Sequence, residues 1–502
     1  MRQPHWLLVS LVLLGTAGTF ALILAATGGS FVYPLDDSYI HLALVRNLVE
    51  HGNFGINPGE TAFASSSILW SLILAAGYLL FGSALYLPLI LNVAIGVAFV
   101  LLADRMLRDE DIPPGWRVPA VCLVMLALPL FPLLFTGMES LLHPLLVLAI
   151  FRLLPGRETR DGGKRTDVTI LALLAVATLV RYETLFLAAA LIAVSLVQRR
   201  WRFAALILPA VALPVLASGL VQLHGGGMFL PNTLLVKGHH IDWFSPAAWG
   251  SAAVEQLFHT LPFGRGRPLL LLLLILGIGM LIHRSPERRR FVPVIAVWTL
   301  ALLQQVMFAD VGRYFRYEAY LMASGMLLAL ILFGRFFLLR PDLRGRPLKR
   351  WLPVAAAVLL LLPVLRIGFF ATVHIYRASA DIHRQHMPLA DFLDEHYRGE
   401  PVLLNDIGYV SYAADVRVID LMGLGSTQVT RARYSGAFDT QYMAALAHRE
   451  QAPIAAVYES WFSGAQALPS SWIPAGRWHA PRNYVLGDSV LTFFATDSAS
   501  LP

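Results

Sequence analysis

Apolar segments recur along the whole chain, at about residues 6–27, 66–81, 84–103, 118–136, 139–155, 168–181, 183–198, 203–222, 267–283, 291–309, 318–340 and 351–372. Most approach the roughly 20 residues that a helix needs to cross a bilayer. In lipid a segment must satisfy its own backbone hydrogen bonds, and unbroken apolar runs of this length do so as helices. The chain therefore reads as a polytopic all-α membrane protein. Composition agrees: hydrophobic residues make up 57% of the 502 and charged residues 14%, and the mean hydropathy is +0.63, far from a soluble domain. The run at 6–27 exceeds the ~7–15 residues of a signal-peptide core and reads as an uncleaved first span.

A net charge of +7 invites the idea of a polyanionic partner, and the distribution of charge removes it. From residue 373 onward nine Arg, no Lys and thirteen Asp plus Glu give −4, which leaves +11 before that point. The excess lies in short loops between apolar segments, where it orients spans and implies no nucleic acid. The four richest loops, at 152–167, 199–202, 283–290 and 340–350, are expected in the cytoplasm. Counting back from the first makes Glu139 external, 104–117 internal and 28–65 external, provided that one of the segments 66–81 and 84–103 does not cross. The former is short and opens with "ASSS", so it is expected to be an interfacial or re-entrant helix. About eleven spans remain. The odd count places the N-terminus in the cytoplasm and the C-terminal part beyond the inner (plasma) membrane, in the periplasm or extracellular space. Cys122, the single cysteine, allows no intrachain disulfide.

Two domains are expected: a transmembrane catalytic domain over 1–372, and a small extracytoplasmic α/β domain over 373–502. The latter combines an amphipathic stretch, "RASADIHRQHMPLADFLDEHYRG", with β-like runs "PVLLND", "VRVIDL", "AAVYES" and "VLTFFA". No P-loop and no GxGxxG after a strand occurs, which argues against a nucleotide donor.

The chemistry gathers on the external side. In "FVYPLDDSYIHLALVRN" the adjacent acids Asp36 and Asp37 precede a helix expected from about Ser38 to His51, with Gly52 as its stop. One acid suffices as an N-cap, so the second is available as a general base at the bilayer surface. Glu139, Arg181 and Glu183 interrupt apolar hairpins, where a charge without a use is expensive. Lys237, His239 and His240 in "LLVKGHH", with Arg313 and Arg316 in "VGRYFRY", are the candidate phosphate ligands. Asp406, Asp415 and Asp420 follow strand-like runs and read as turn residues.

The stretch "LDDSYIHLALVRNLVEHGNFGINPGE" with "SSSILWSLILA" resembles the first external loop of GT-C glycosyltransferases, which use polyprenyl-phosphate sugars. Along the chain "TGMES", "RYET", "FLPNTLLVK" and "LLNDIGYVSYAADVRVIDLMGLGS" resemble further motifs of that superfamily, and the nearest group is the bacterial arabinofuranosyltransferase-like branch. The resemblance implies an inverting transfer of a sugar, a pentofuranose such as arabinofuranose being one candidate, from a polyprenyl-phosphate donor to an external glycan, lipid or protein. Asp37 is the expected base with Asp36 as its alternate, and Lys237, His239, His240, Arg313, Arg316, Arg181, Glu183 and Glu139 are expected around the donor's phosphate and sugar. No cofactor is required, and a divalent cation is the one possible addition. The competing reading is a transporter or flippase of lipid-linked sugars. Such proteins show paired halves and midplane ionisable groups, which this sequence lacks.

Overall fold

The computed structural model describes residues 5–82, 85–154, 162–237, 255, 266–283, 285–309, 311–339 and 347–497. Among them six helices are long and apolar enough to cross a membrane: His5–Ala26, Leu87–Asp109, Trp201–His224, Arg289–Phe308, Ala319–Phe337 and the stretch Trp351–His396. Shorter apolar helices, Ile68–Phe81, Pro114–Ala127, Thr184–Val197 and Arg267–Ile282, pack among them. Leu14, Leu80, Val197 and Leu281 point outward and are 71%, 76%, 85% and 77% exposed. In water such a belt would drive aggregation; in a bilayer it is the lipid-facing surface. The chain is a multi-pass membrane protein with a small C-terminal sheet domain. Ala319–Phe337 is the innermost of the long helices, 72% buried against 22% for His5–Ala26.

Two expected spans are broken at the ends that matter for the site. Residues 118–136 fall into the helices Pro114–Ala127 and Leu130–Phe135, because Pro129 has no N–H to continue the ladder. The next segment opens with a 3-10 turn, Glu139–Leu141, before the helix Leu142–Leu153, which carries Glu139 inward. At the opposite end, His5 meets Asp104 at 3.4 Å, Arg152 meets Asp109 at 2.8 Å, and Arg290 meets Glu110 at 2.6 Å. Arg152 and Arg290, from two of the basic loops, are thus drawn to one end of the bundle, away from Asp36, Asp37, Glu139 and Arg181.

The helix Pro347–His396 runs for 50 residues, so the domain boundary expected at residue 373 falls inside it. Its C-terminal half packs on a five-stranded sheet made of β1 Pro401–Leu404, β2 Arg417–Asp420, β3 Ile454–Val457, β4 Ile473–His479 and β5 Val490–Ala495, in the order β2-β1-β3-β5-β4. Strand β1 is parallel to β2 and β3, with Leu404 beside Asp420 and Ala456. β5 runs antiparallel to β3 and β4. The β1 side chains feed two cores, one with Leu389 and Leu393 of the long helix and the other with Val429, Met443 and Leu446. Burial on both faces explains why "VLL" shows no alternation. The edge strand β4 was not expected from "IPAGRWH", since Pro474 and Gly476 disfavour strands. It is bulged between those two residues, where an edge tolerates them.

Candidate active site

The adjacent acids at 36 and 37 go separate ways. The helix Asp37–His51 closes at Gly52, whose φ of 71° is the left-handed stop that glycine allows. Asp36 occupies the N-cap position but has helical angles and makes no side-chain cap bond. Its carboxylate turns to the C-terminal domain instead. Oδ1 accepts from His386 Nδ1 at 2.9 Å and from the Tyr409 N–H at 2.8 Å, and Oδ2 accepts from the Gly408 N–H. A Cβ on Gly408 would fall 2.0 Å from the Asp36 carbonyl oxygen, so only glycine permits this approach. His386 Nε2 in turn lies 3.3 Å from the Tyr458 hydroxyl and 3.6 Å from Asp406 Oδ2.

Burial works to raise the Asp36 carboxyl, but His386, Asp406 and the Tyr409 N–H together hold it below the usual carboxylate range. A depressed carboxylate stabilises the fold above its ordinary pKa and loses that contribution only as pH falls through the lowered value. The latch between the first external loop and the tail is therefore fully formed at neutral and mildly acidic pH. Asp36→Ala strands buried N–H donors, at a cost on the order of 1–3 kcal/mol. Limited proteolysis of the C-terminal domain at pH 7 is expected to speed up several-fold in this variant. Unchanged cleavage would remove the latch.

Asp37 faces a cavity of about 300 Å³, lined also by His41, Ser65, Arg181, Glu183 and Tyr317. Its Oδ2 accepts from Arg316 Nη1 at 2.5 Å, and Arg316 Nη2 donates to the Tyr317 hydroxyl at 3.0 Å. The Tyr317 ring lies between two guanidiniums, with Arg316 Cζ and Arg181 Cζ each 4.9 Å from its centroid. Arg181 donates from Nη1 to Glu139 Oε1 at 2.7 Å and forks onto Glu183 from Nη2 and Nε at 2.8 and 3.2 Å. Burial opposes both ions of that pair and is outweighed: Arg181 holds Glu183 below the usual carboxylate range, and Glu183 with Glu139 holds Arg181 above that of a free guanidinium. Glu139 Oε2 has no hydrogen-bond partner among the described residues and lies 3.9 Å from His41 Nε2.

The motifs read from the sequence build this wall locally. In "TGMES", Gly137 has φ of 66°, and a Cβ there would press on Ser38 and Tyr33 at 3.1 Å. Trp70 Nε1 and Asn92 Nδ2 hold the Gly137 and Met138 carbonyls at 3.2 and 3.1 Å. In "FLPNT", the Asn232 N–H donates to Phe63 O at 3.1 Å and its side-chain amide to Leu424 O at 3.1 Å, which ties the first loop to the tail. In "GRYFRYE", the buried Tyr314 and Phe315 both have φ of 59°, a costly left-handed pair for large residues, of the kind found at functional sites. The tight turn sends its two arginines in opposite directions. Arg316 reaches Asp37, whereas Arg313 donates to Tyr484 O at 2.5 Å and lines a different cavity. Arg313 thus does not join the Asp37 cavity, contrary to its expected place beside Arg316.

Glu318, fully buried, closes the same turn: its Oε2 accepts from the Gly312 N–H at 3.0 Å, and Oε1 has no hydrogen-bond partner among the described residues. Burial pushes its carboxyl up to about 8. A raised acid binds a proton in the folded chain that the unfolded chain has already lost, so stability falls as pH rises from about 4.5 to 8. Thermal unfolding in detergent from pH 5 to 9 is expected to show this slope in the wild type and a flatter one in Glu318→Gln. Parallel slopes would contradict a buried neutral acid.

Lys237 ends the helix Asn232–Lys237, while His239 and His240 lie outside the described residues. Asp420 accepts from the Met422 and Gly425 N–H groups, both at 2.7 Å, the turn role its sequence suggests. The Asp415 N–H donates to Asp394. Asp406 instead joins Asp36 and His386, with ligand atoms within 4.8 Å of one another. These three fit a cation incompletely, because both Asp36 oxygens already hold backbone N–H groups and His386. Sequence reasoning missed His41, Tyr317, Glu318 and His386. His41 stands four residues from Asp37, on the same helical face, and Tyr317 and Glu318 directly follow Arg316. Nothing in the sequence linked His386 to Asp36, 350 residues earlier.

Comparison with known proteins reaches the tail and the fold. Residues 376–494 match a family described as a domain of unknown function, DUF8728. No curated protein matches the chain. The fold is similar to apo ArnT from Cupriavidus metallidurans, at 12% identity and a TM-score of 0.50 over 98% of each chain. Other similar structures are ArnT from the same organism bound to undecaprenyl phosphate (12% identity, TM-score 0.48, 98% of this chain and 99% of that one) and the Archaeoglobus fulgidus oligosaccharyltransferase with zinc and sulfate (11%, 0.46, 97% and 74%). The chain thus shares the fold of apo ArnT, and that likeness spans bundle and tail together.

Proposed function

We propose that the protein is an inverting membrane glycosyltransferase that moves a sugar from a polyprenyl-phosphate donor to an acceptor hydroxyl outside the membrane. One observation carries the reading. Of two adjacent acids, one is consumed by the tail while the other, Asp37, stands in the cavity wall, ion-paired to Arg316. The phosphate of a donor competes with Asp37 for that guanidinium. As Arg316 turns to the phosphate, Asp37 is released to accept the acceptor's hydroxyl proton. The acceptor oxygen then bonds to C1 of the sugar, and the bond from C1 to the phosphate oxygen breaks with inversion. The electron pair leaves on the polyprenyl phosphate, whose charge Arg316 stabilises.

Arg181, Glu139 and Glu183 orient the sugar. Lys237 is assigned to the phosphate by its motif and His239 and His240 only by their place beside it, and arabinofuranose is the first donor to try. The acceptor is a glycan, lipid or protein on the side of the tail, which lies beyond the plasma membrane. The chemistry needs no cofactor, and a divalent ion at the acid pair would only assist it. The test is to incubate purified protein with a panel of polyprenyl-phosphate sugars and follow release of the free lipid phosphate, with wild type and Asp37→Asn side by side. Release that requires Asp37 supports the reading, and no release from any donor overturns it in favour of a flippase assay.

A further inference from the structure

A second cavity, of about 620 Å³, opens on the other side of the "GRYFRYE" turn and is lined by Arg267, Arg313 and Arg366. Beside it a smaller one, of about 200 Å³, is lined by Arg377, Arg384 and Arg482. Tyr484 lines both, so the two adjoin at that side chain. Arg366, Arg377 and Arg384 are spaced by 11 and 7 residues along the helix Pro347–His396, close to whole numbers of turns. They form a stripe on one face. The stretch from residue 373 carries −4 in all, yet three of its nine arginines meet here.

Among the described residues no acid lines the larger cavity, and the smaller one has Asp381, whose Oδ2 is committed to the Tyr484 and Val485 N–H groups at 2.5 and 2.9 Å. Arg267, Arg366, Arg384 and Arg482 form no ion pair with a described acid. In the larger cavity the guanidiniums of Arg267, Arg313 and Arg366, with no carboxylate in its described lining, suit a phosphate group, which arginine binds in bidentate fashion. The other wall of the larger cavity is apolar, with Leu271, Ile367 and Phe370. Ile367 and Phe370 are 42% and 44% exposed and continue the lipid-facing surface of the last helix. An anionic head beside a hydrocarbon wall describes an amphiphile, not a free ion.

We infer that the larger cavity is a second lipid site, distinct from the Asp37 cavity, which takes a phosphate-bearing lipid with its phosphate on Arg267, Arg313 and Arg366 and its chain along Ile367 and Phe370. Full-length protein in detergent would be titrated with dioleoyl phosphatidic acid and followed by native mass spectrometry, with dioleoyl phosphatidylcholine as the zwitterionic control. Saturable binding of phosphatidic acid, weakened at least tenfold in the double variant Arg267→Gln/Arg366→Gln and unchanged in Arg316→Gln, supports the site. Among the described residues these two arginines form no ion pair, and a wild-type melting temperature in the double variant confirms that it is folded. Equal binding by wild type and the folded double variant overturns the site, as does loss in Arg316→Gln alone. Uptake without saturation assigns the arginines to ordinary headgroup contact, and displacement by millimolar inorganic phosphate assigns a soluble anion; either result overturns it too.

Discussion

Asp37→Asn is expected to lower sugar transfer by about 10²–10⁴-fold, the usual contribution of a positioned general base, while the fold survives. Asparagine keeps the shape and one acceptor oxygen but cannot take up the hydroxyl proton. The loss of its ion pair is softened: the Asp37 side chain is 25% exposed, and Arg316 keeps the Tyr317 hydroxyl. Stability should therefore fall far less than the roughly 3–5 kcal/mol of a fully buried broken pair. Asp36 supplies the control. Its substitution by Asn weakens the bonds to Gly408, Tyr409 and His386 and should cost tail protection more than turnover. Measuring kcat and tail proteolysis on both variants separates the two roles. Equal losses in both readouts would mean that the acids act as one unit and that their divergence has no mechanistic meaning.

That divergence marks where sequence reasoning stops. The apolar runs, the basic loops and four of the five strands could be read because each depends on neighbours close in the chain. The same locality revealed the acid pair, the Gly52 stop and the charges at Glu139, Arg181 and Glu183, which stand out against apolar hairpins. The partner of each group was not legible. Asp36 finds His386 and Gly408 across more than 340 residues, and Arg316 finds Asp37 across 279. Nor could spacing alone show that Arg313 and Arg316, three residues apart, would part, one to Tyr484 and the other to Asp37. A regular helix would have put them on one side; the left-handed angles of Tyr314 and Phe315 turn them apart. Strand β4 escaped because edge strands accept the residues that interior strands reject.

Arg181→Met is expected to have the largest effect on stability. The guanidinium is the shared cation of Glu139 and Glu183, and the side chains of these three residues are 4%, 1% and 13% exposed. Removing it leaves buried carboxylates without a counter-ion, at a cost on the order of 3–5 kcal/mol, and removes the cation above the Tyr317 ring. Without Arg181, which now holds it low, the Glu183 carboxyl rises. A raised acid loses stability as pH climbs from its ordinary value toward the new one, so the gap in melting temperature between variant and wild type should widen between pH 5 and 8. Adding Glu139→Gln and Glu183→Gln to Arg181→Met removes the uncompensated charges and should restore much of the melting temperature. Transfer, on the proposed reading, should not return, because a neutral trio cannot orient a sugar beside the phosphate as charged groups do. A cluster that served only to hold the bundle together would recover both properties in the neutral triple variant, and that outcome would remove Arg181, Glu139 and Glu183 from the chemistry.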